Sequence, residues 1–200
     1  MVLKTFFPQW LIVFGLFACL SGCTPRPAQF SSASSSAAAG ILLVDQHGRD
    51  VPFGSLIGDA PFTVVEFFSA HCPCQRAHDP RLREIYDAFS PRGVKFVAVD
   101  TEAGASPERV AKEAQARGYP YPLLADPTGK LAEVFGVTIA MHTVIFDREG
   151  RVRYSGGLDS NRTHLKADAT FYVRDALEDL VSGREPRIAH GKALGCVLQH

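Results

Sequence analysis

The sequence has no surplus of either charge. Lys plus Arg and Asp plus Glu are 21 each among 200 residues, so composition gives no reason to expect nucleic acid or another polyanion as partner. It has no glycine-rich phosphate loop, no carboxylates paired at hydrolase spacing and no basic patch interleaved with aromatics. Long apolar runs are missing too. The clearest, Trp10 to Leu20, is too short to read as a membrane span, and it holds the chain's one tryptophan. Cysteine is sparse, with five in all, and their positions carry most of the information.

Residues 1–23 read as a leader rather than as part of a fold. Lys4 supplies a positive start, Trp10 to Leu20 an apolar middle, and Leu20-Ser21-Gly22-Cys23 a small-residue end. That end resembles a bacterial lipobox, in which cleavage precedes the cysteine and its thiol is lipidated. The resemblance implies a lipid anchor at Cys23 and a periplasm-facing place in the cell envelope. Thr24, standing where Asp would favour inner-membrane retention, points to the outer membrane. Leu-Phe-Ala-Cys19 is a weaker second box, and a plain secretory signal with an incidental cysteine is the alternative. Thr24 to Gly40 is rich in Pro, Ser and Ala, carries little apolar surface, and reads as a disordered tether.

The chain is organised around Thr63 to Phe89, TVVEFFSAHCPCQRAHDPRLREIYDAF. Thr63 to Phe68 is β-branched and aromatic, broken only by Glu66, as suits a central strand. From Pro73 the apolar positions Leu82, Ile85, Tyr86 and Phe89 follow a helical period, and Pro73 suits the first turn, where its missing N–H costs nothing. Cys72 therefore falls at a helix N-terminus just after a core strand. Unpaired N–H groups and the helix dipole stabilise a thiolate there.

The rest of the chain alternates. Ile41 to Asp45 and Arg49 to Phe53 are short strands, and Val94 to Val99 is a buried one. Ser106 caps a helix that has Pro107 and Glu108 in its first turn and Gly118 as its stop. A strand over Tyr121 to Leu124, a short helix over Lys130 to Phe135 and a hairpin pairing Thr143–Phe146 with Arg151–Ser155 follow. A last amphipathic helix covers Ala169 to Val181. This predicts an α/β domain over residues 41–183, with a central mixed β-sheet and helices on both faces, and a tail over 184–200 carrying Cys196.

Cys72 at the strand-to-helix turn, with Pro80 eight residues later, resembles the thioredoxin-like superfamily. That family carries its second cysteine three residues after the first; here Gln75 stands there, and Cys74 is one position early. The stretches DREGRVRYSGG and GREPRIAHGKALGCVLQH look like the peroxiredoxin-like redoxin branch, the alkyl hydroperoxide reductase/thiol-specific antioxidant proteins. The resemblance implies a thioredoxin-like three-layer sandwich and an oxidoreductase working by thiol–disulfide exchange or thiol-dependent peroxide reduction. Cys72 is then the nucleophile, and Cys74 or Cys196 the resolving thiol. A disulfide or peroxide is the substrate, a thiol protein or small-molecule reductant supplies electrons, and no organic cofactor is implied.

The resemblance also assigns the surroundings. Ser69 stands three residues before Cys72, where peroxiredoxins place a threonine hydroxyl, but Val65 replaces their proline. Register puts Met141 both where peroxiredoxins place a peroxide-polarising arginine and where thioredoxin-like enzymes place a cis-proline, so Met141 and His142 form the loop expected to face the cysteines. His71 and Pro73 flank the nucleophile. Glu66 is a candidate buried proton relay, or else a solvent-facing residue at a sheet edge. Cys72, Cys74 and His142 resemble the ligand set of Sco-type copper chaperones, an alternative in which the chain holds Cu(I) or Zn(II); His71 and His78 are further histidine candidates. An inactive thioredoxin-fold interaction module is the third reading. Arg81 and Arg83 read as a solvated helix face.

Overall fold

The computed structural model describes Met1 and residues 32–199, with side chains from Ser35 onward. The leader, Cys19, Cys23 and the first part of the expected tether lie outside the described residues. Among the described residues no helix is long and apolar enough to cross a membrane.

Eight strands form one mixed sheet: β1 (Leu42–Val44), β2 (Asp50–Pro52), β3 (Phe62–Phe68), β4 (Val94–Asp100), β5 (Leu123–Ala125), β6 (His142–Asp147), β7 (Val152–Gly157) and β8 (His190–Gly191). Their order is β2-β1-β5-β4-β3-β6-β7-β8. The central β3 pairs parallel with β4 and antiparallel with β6, Glu66 standing between Ala98 and Thr143. Among the described residues five α-helices accompany them: α1 (Ser32–Ala38), α2 (Pro73–Phe89), α3 (Pro107–Arg117), α4 (Lys130–Phe135) and α5 (Tyr172–Val181).

Strand side chains alternate between the two faces, and the core divides accordingly. Val64 and Phe68 of β3 and Ile145 of β6 pack with Leu82, Ile85 and Phe89 of α2 and with Val173, Leu177 and Leu180 of α5. Val65 and Phe67, with Val144 and Phe146, pack on the other face with Ala38 of α1 and with Leu131 and Phe135 of α4. The result is the three-layer α/β arrangement expected, with β3 fully enclosed and the N-terminus of α2 emerging at its end.

Local chemistry sets the boundaries. Ser106 accepts a hydrogen bond from the Arg109 N–H, and Gly118, at φ 61°, ends α3 as expected. Asp100, buried at the end of β4, receives Arg109 through Nε and Nη2 at 2.7 Å each, which fixes α3 on the sheet. The last helix starts at Tyr172 rather than Ala169, because Ser160 and Thr170 exchange hydrogen bonds that hold the preceding residues as a loop.

Two ends of the chain differ from expectation. Ser32–Ala38 lies in the segment read as tether but is helical, and Ala38 is fully buried against the α4 face. A run of Ser and Ala has little apolar surface, but Ala38 enters the core and the Ala39 carbonyl accepts the Gly54 N–H at 2.9 Å. The C-terminal tail is likewise part of the fold: β8 pairs with Ser155 and Gly156 of β7, and Leu198 is buried in the core. Arg81 is not a solvated residue; it pairs with buried Asp159 and stacks on Phe171.

Candidate active site

Cys72 is the N-cap of α2, with extended backbone, and Pro73 follows at the first helical position. Its N–H donates to the Ser69 carbonyl and its carbonyl accepts from the Arg76 N–H. No side chain caps this helix end, so the dipole of α2 acts on the cysteine itself. Cys72 and Cys74 are each 2% exposed, within an apolar cluster that includes Phe67, Ala140, Met141 and Leu198. Above Cys72 lies an open depression of about 540 Å³, lined by Ala70, His71, Cys72, Pro73, Arg76 and Ala77.

Between the sequence's alternative pairings, the structure chooses the distant one. Cys72 forms a disulfide with Cys196, 124 residues away, with Cα atoms 5.6 Å apart. Cys74 is free and buried beside it. The tail reaches this place by main-chain pairing. The Ala140 N–H donates to the Cys196 carbonyl at 2.8 Å, and the Leu198 N–H donates to the Thr138 carbonyl at 2.9 Å. Gly195 lies against the Ala140 carbonyl so closely that a Cβ there would overlap it. The tail is thus an added strand on the loop that precedes β6.

That loop contains a strained residue. Met141 has φ 65°, the left-handed region that costs a side-chain-bearing residue about 1–2 kcal/mol, and its N–H donates to the Phe67 carbonyl. Its side chain is buried in the cysteine cluster. Proline is locked near φ −65° and could not occupy this conformation. No guanidinium comes from this loop. Arg151 and Arg153 sit at the opposite end of β6, on Asp147.

His142 shares a sheet face with Phe67, its ring edge-on at 6.4 Å, but its Nε2 bonds the Ser155 hydroxyl at 2.8 Å. Burial pushes its pKa down to about 4, so it is neutral at ordinary pH. Among the described residues the group whose atoms could hold a metal is Cys72, Cys74 and Cys196, their sulfurs within 4.8 Å of one another, and it does not include His142. His71 is exposed and Ser69 is buried. His78 is wholly buried and binds the Cys74 carbonyl at 2.8 Å and Asp159 at 3.3 Å. Against the penalty of burial, hydrogen bonds from His78 and Arg81 hold Asp159 below the usual carboxylate range.

Glu66 faces the core, not solvent: it is 2% exposed, and neither carboxylate oxygen has a hydrogen-bond partner. Burial raises its pKa to about 8, with Gln75 and Arg117 opposing the rise and Asp79 adding to it. Gln75, in the place of the family's second cysteine, is fully buried and donates to the Tyr119 hydroxyl, which donates to Asp79 at 2.6 Å. Arg117 closes this network, binding Asp79 and the Ala70 carbonyl at 3.0 Å each and stacking on Phe68. Sequence reasoning missed Asp79, Arg117 and Tyr119. Only their polarity inside otherwise core-facing segments marks them.

Comparison with known proteins agrees with this geometry. The chain is 28% identical over 119 residues to the thiol-disulfide oxidoreductase ResA of Geobacillus thermodenitrificans, a match covering 59% of this chain and 66%, just under two thirds, of that relative. It is 21% identical over 153 residues to sporulation thiol-disulfide oxidoreductase A of Bacillus subtilis, covering 76% of this chain and 88% of the relative. An uncharacterized conserved protein from Geobacillus kaustophilus superposes with a TM-score of 0.73 at 29% identity, covering 82% of this chain and 89% of that one. The AhpC/TSA family model matches residues 35–155, more than half of the sequence, from within α1 to within β7. The chain belongs to the AhpC/TSA family.

Proposed function

We propose that the chain is an envelope thiol–disulfide oxidoreductase whose working couple is Cys72 and Cys196. The observation that carries this reading is the disulfide between the cysteine at the start of α2 and a tail cysteine held in place by main-chain bonds. The Cys72 thiolate attacks one sulfur of a substrate disulfide. A Cys72–substrate bond forms, the substrate S–S bond breaks, and one substrate thiolate leaves. The Cys196 thiolate then attacks Cys72 Sγ and expels the second substrate thiolate. Two electrons pass from the protein thiols to the substrate, and the protein is left as Cys72–Cys196. A dithiol protein or small thiol restores it by the reverse steps, and the same steps run backwards oxidise a dithiol substrate.

The shallow depression over Cys72 suits a protein surface better than an enclosed small molecule. Glu66 lies under the first turn of α2, against Gln75, and near neutral pH it is the buried group able to take or give a proton there. Met141 supplies an apolar contact beside the disulfide. Peroxide reduction is the lesser activity in this reading, because the guanidinium lining the depression is that of exposed Arg76 and none projects from the Met141 loop. The lipobox-like end of the leader at Cys23 supports a position outside the cytoplasm on a lipid anchor. Turnover of a model disulfide by the full chain tests the activity: Cys72→Ser abolishes it, whereas undiminished turnover in that variant refutes the assignment.

A further inference from the structure

The exchange just proposed leaves one thiol without a task. Cys74 is free, 2% exposed, and its sulfur is within 4.8 Å of both sulfurs of the Cys72–Cys196 bond. A structural cysteine in an apolar core needs no such neighbours. We propose that Cys74 is a third exchanging thiol, which moves the disulfide inside the protein.

The proposal rests on the Cys72–Cys196 couple. The Cys74 thiolate attacks Cys196 Sγ; the Cys74–Cys196 bond forms, the Cys72–Cys196 bond breaks, and Cys72 leaves as a thiolate. One S–S bond replaces another, no electrons enter or leave, and the proton given up by Cys74 to solvent is balanced when Cys72 is protonated or stays an anion at the helix end. Two features decide the direction of attack. A Cys72–Cys74 bond would join residues two apart at a helix start, whose side chains diverge. Cys72, by contrast, is a good leaving group, because the N-terminus of α2 stabilises its thiolate.

The tail stays in reach throughout. It is held by the Ala140–Cys196 and Thr138–Leu198 main-chain bonds, by the Ala103 N–H bond to the Gln199 carbonyl at 2.7 Å, and by the burial of Leu198. None of these depends on which cysteine of α2 the sulfur of Cys196 joins. Exchange is therefore intramolecular, with the high effective concentration of a docked partner. The oxidised protein then still presents a nucleophile, Cys72, under the open depression while it stores an oxidising equivalent in Cys74–Cys196.

The test needs no substrate. The full chain is oxidised with one equivalent of diamide, held in thiol-free buffer between pH 6 and 9, quenched in acid, alkylated and mapped by mass spectrometry. The expected map of the wild type contains both Cys72–Cys196 and Cys74–Cys196, the latter at about a tenth of the total or more, with alkylation divided between Cys74 and Cys72. Cys72→Ser should oxidise to Cys74–Cys196, and Cys74→Ala to Cys72–Cys196 alone. Cys72–Cys196 as the single bond in the wild type at every pH and time overturns the proposal, and that arm decides the matter even if Cys72→Ser does not fold. Absence of any Cys72–Cys196 bond would instead refute the couple on which it rests.

Discussion

The Ala140 N–H donates to the Cys196 carbonyl at 2.8 Å, so Cys196 is held by main chain as well as by its disulfide to Cys72. A tail tied only by its disulfide would drift away on reduction and return slowly. A tail docked as an added strand is expected to keep its thiol beside Cys72 when the bond is reduced.

Gly195 separates docking from chemistry. A Cβ at this position would overlap the Ala140 carbonyl, and a backbone atom cannot rotate aside. Gly195→Val keeps all three thiols but moves the strand, and is expected to slow closure of the Cys72–Cys196 bond by about tenfold or more. Stopped-flow measurement of disulfide formation checks this. Closure at the wild-type rate would show that the main-chain pairing is dispensable.

Cys196→Ser removes the resolving thiol and leaves Cys72. The variant should accumulate a stable Cys72–substrate mixed disulfide, with turnover down about 100-fold when the external thiol is kept low, because resolution becomes bimolecular. Mass analysis of the trapped adduct gives the direct reading.

Reduction should also cost stability. The bond closes a loop spanning 124 residues of sequence, and disulfides over long loops typically stabilise by about 2–4 kcal/mol. For a chain of this size that corresponds to a fall in Tm of roughly 5–15 °C on reduction. Calorimetry with and without reductant measures it, and Cys196→Ser should match the reduced wild type.

Glu66 makes stability depend on pH in a definite direction. Its pKa is raised by burial from an ordinary 4.5 to about 8, so between those values the folded chain binds more protons than the unfolded one. Stability contributed by the protonated carboxyl is therefore complete below about pH 4.5 and is lost as pH rises through 8, with a full effect on the order of 5 kcal/mol. Glu66→Gln should flatten the decline between pH 5 and 8 in denaturant titrations. An unchanged slope would mean that the carboxylate is charged inside the core at neutral pH.

The sequence was informative where the chemistry is local. The β-branched run of β3, the Cys72–Pro73 helix start, the Ser106 cap and the Gly118 stop depend on neighbours in the chain, and all are found as read. The resemblance names Cys196 as one of two candidate resolving thiols, but the docking of the tail is not legible. GREPRIAHGKALGC is polar, glycine-containing and without period, and its docking depends on a loop more than forty residues earlier, not on its own amphipathicity. His142 is read as facing the cysteines, but its ring bonds Ser155 on the neighbouring strand, out of sight of any local pattern. Met141 packs in the cluster that holds Cys72 and Cys74, and its left-handed backbone accompanies a hydrogen bond to the Phe67 carbonyl that no local pattern shows. Glu66 was ambiguous because a lone carboxylate in an apolar run reads equally as an edge or as a buried group, and only the order of strands shows that β3 is central.

The measurement that tests the central claim most directly is a glutathione redox titration of the full chain, with each cysteine quantified by alkylation and mass spectrometry. The account predicts one reversible two-electron transition in which Cys196 loses its label, Cys72 and, in the smaller exchanged share, Cys74 lose theirs in complementary amounts, and which disappears in Cys196→Ser. Thiols that stay reduced across the whole range, or a Cys72 that passes to sulfinic or sulfonic acid without pairing, would contradict it.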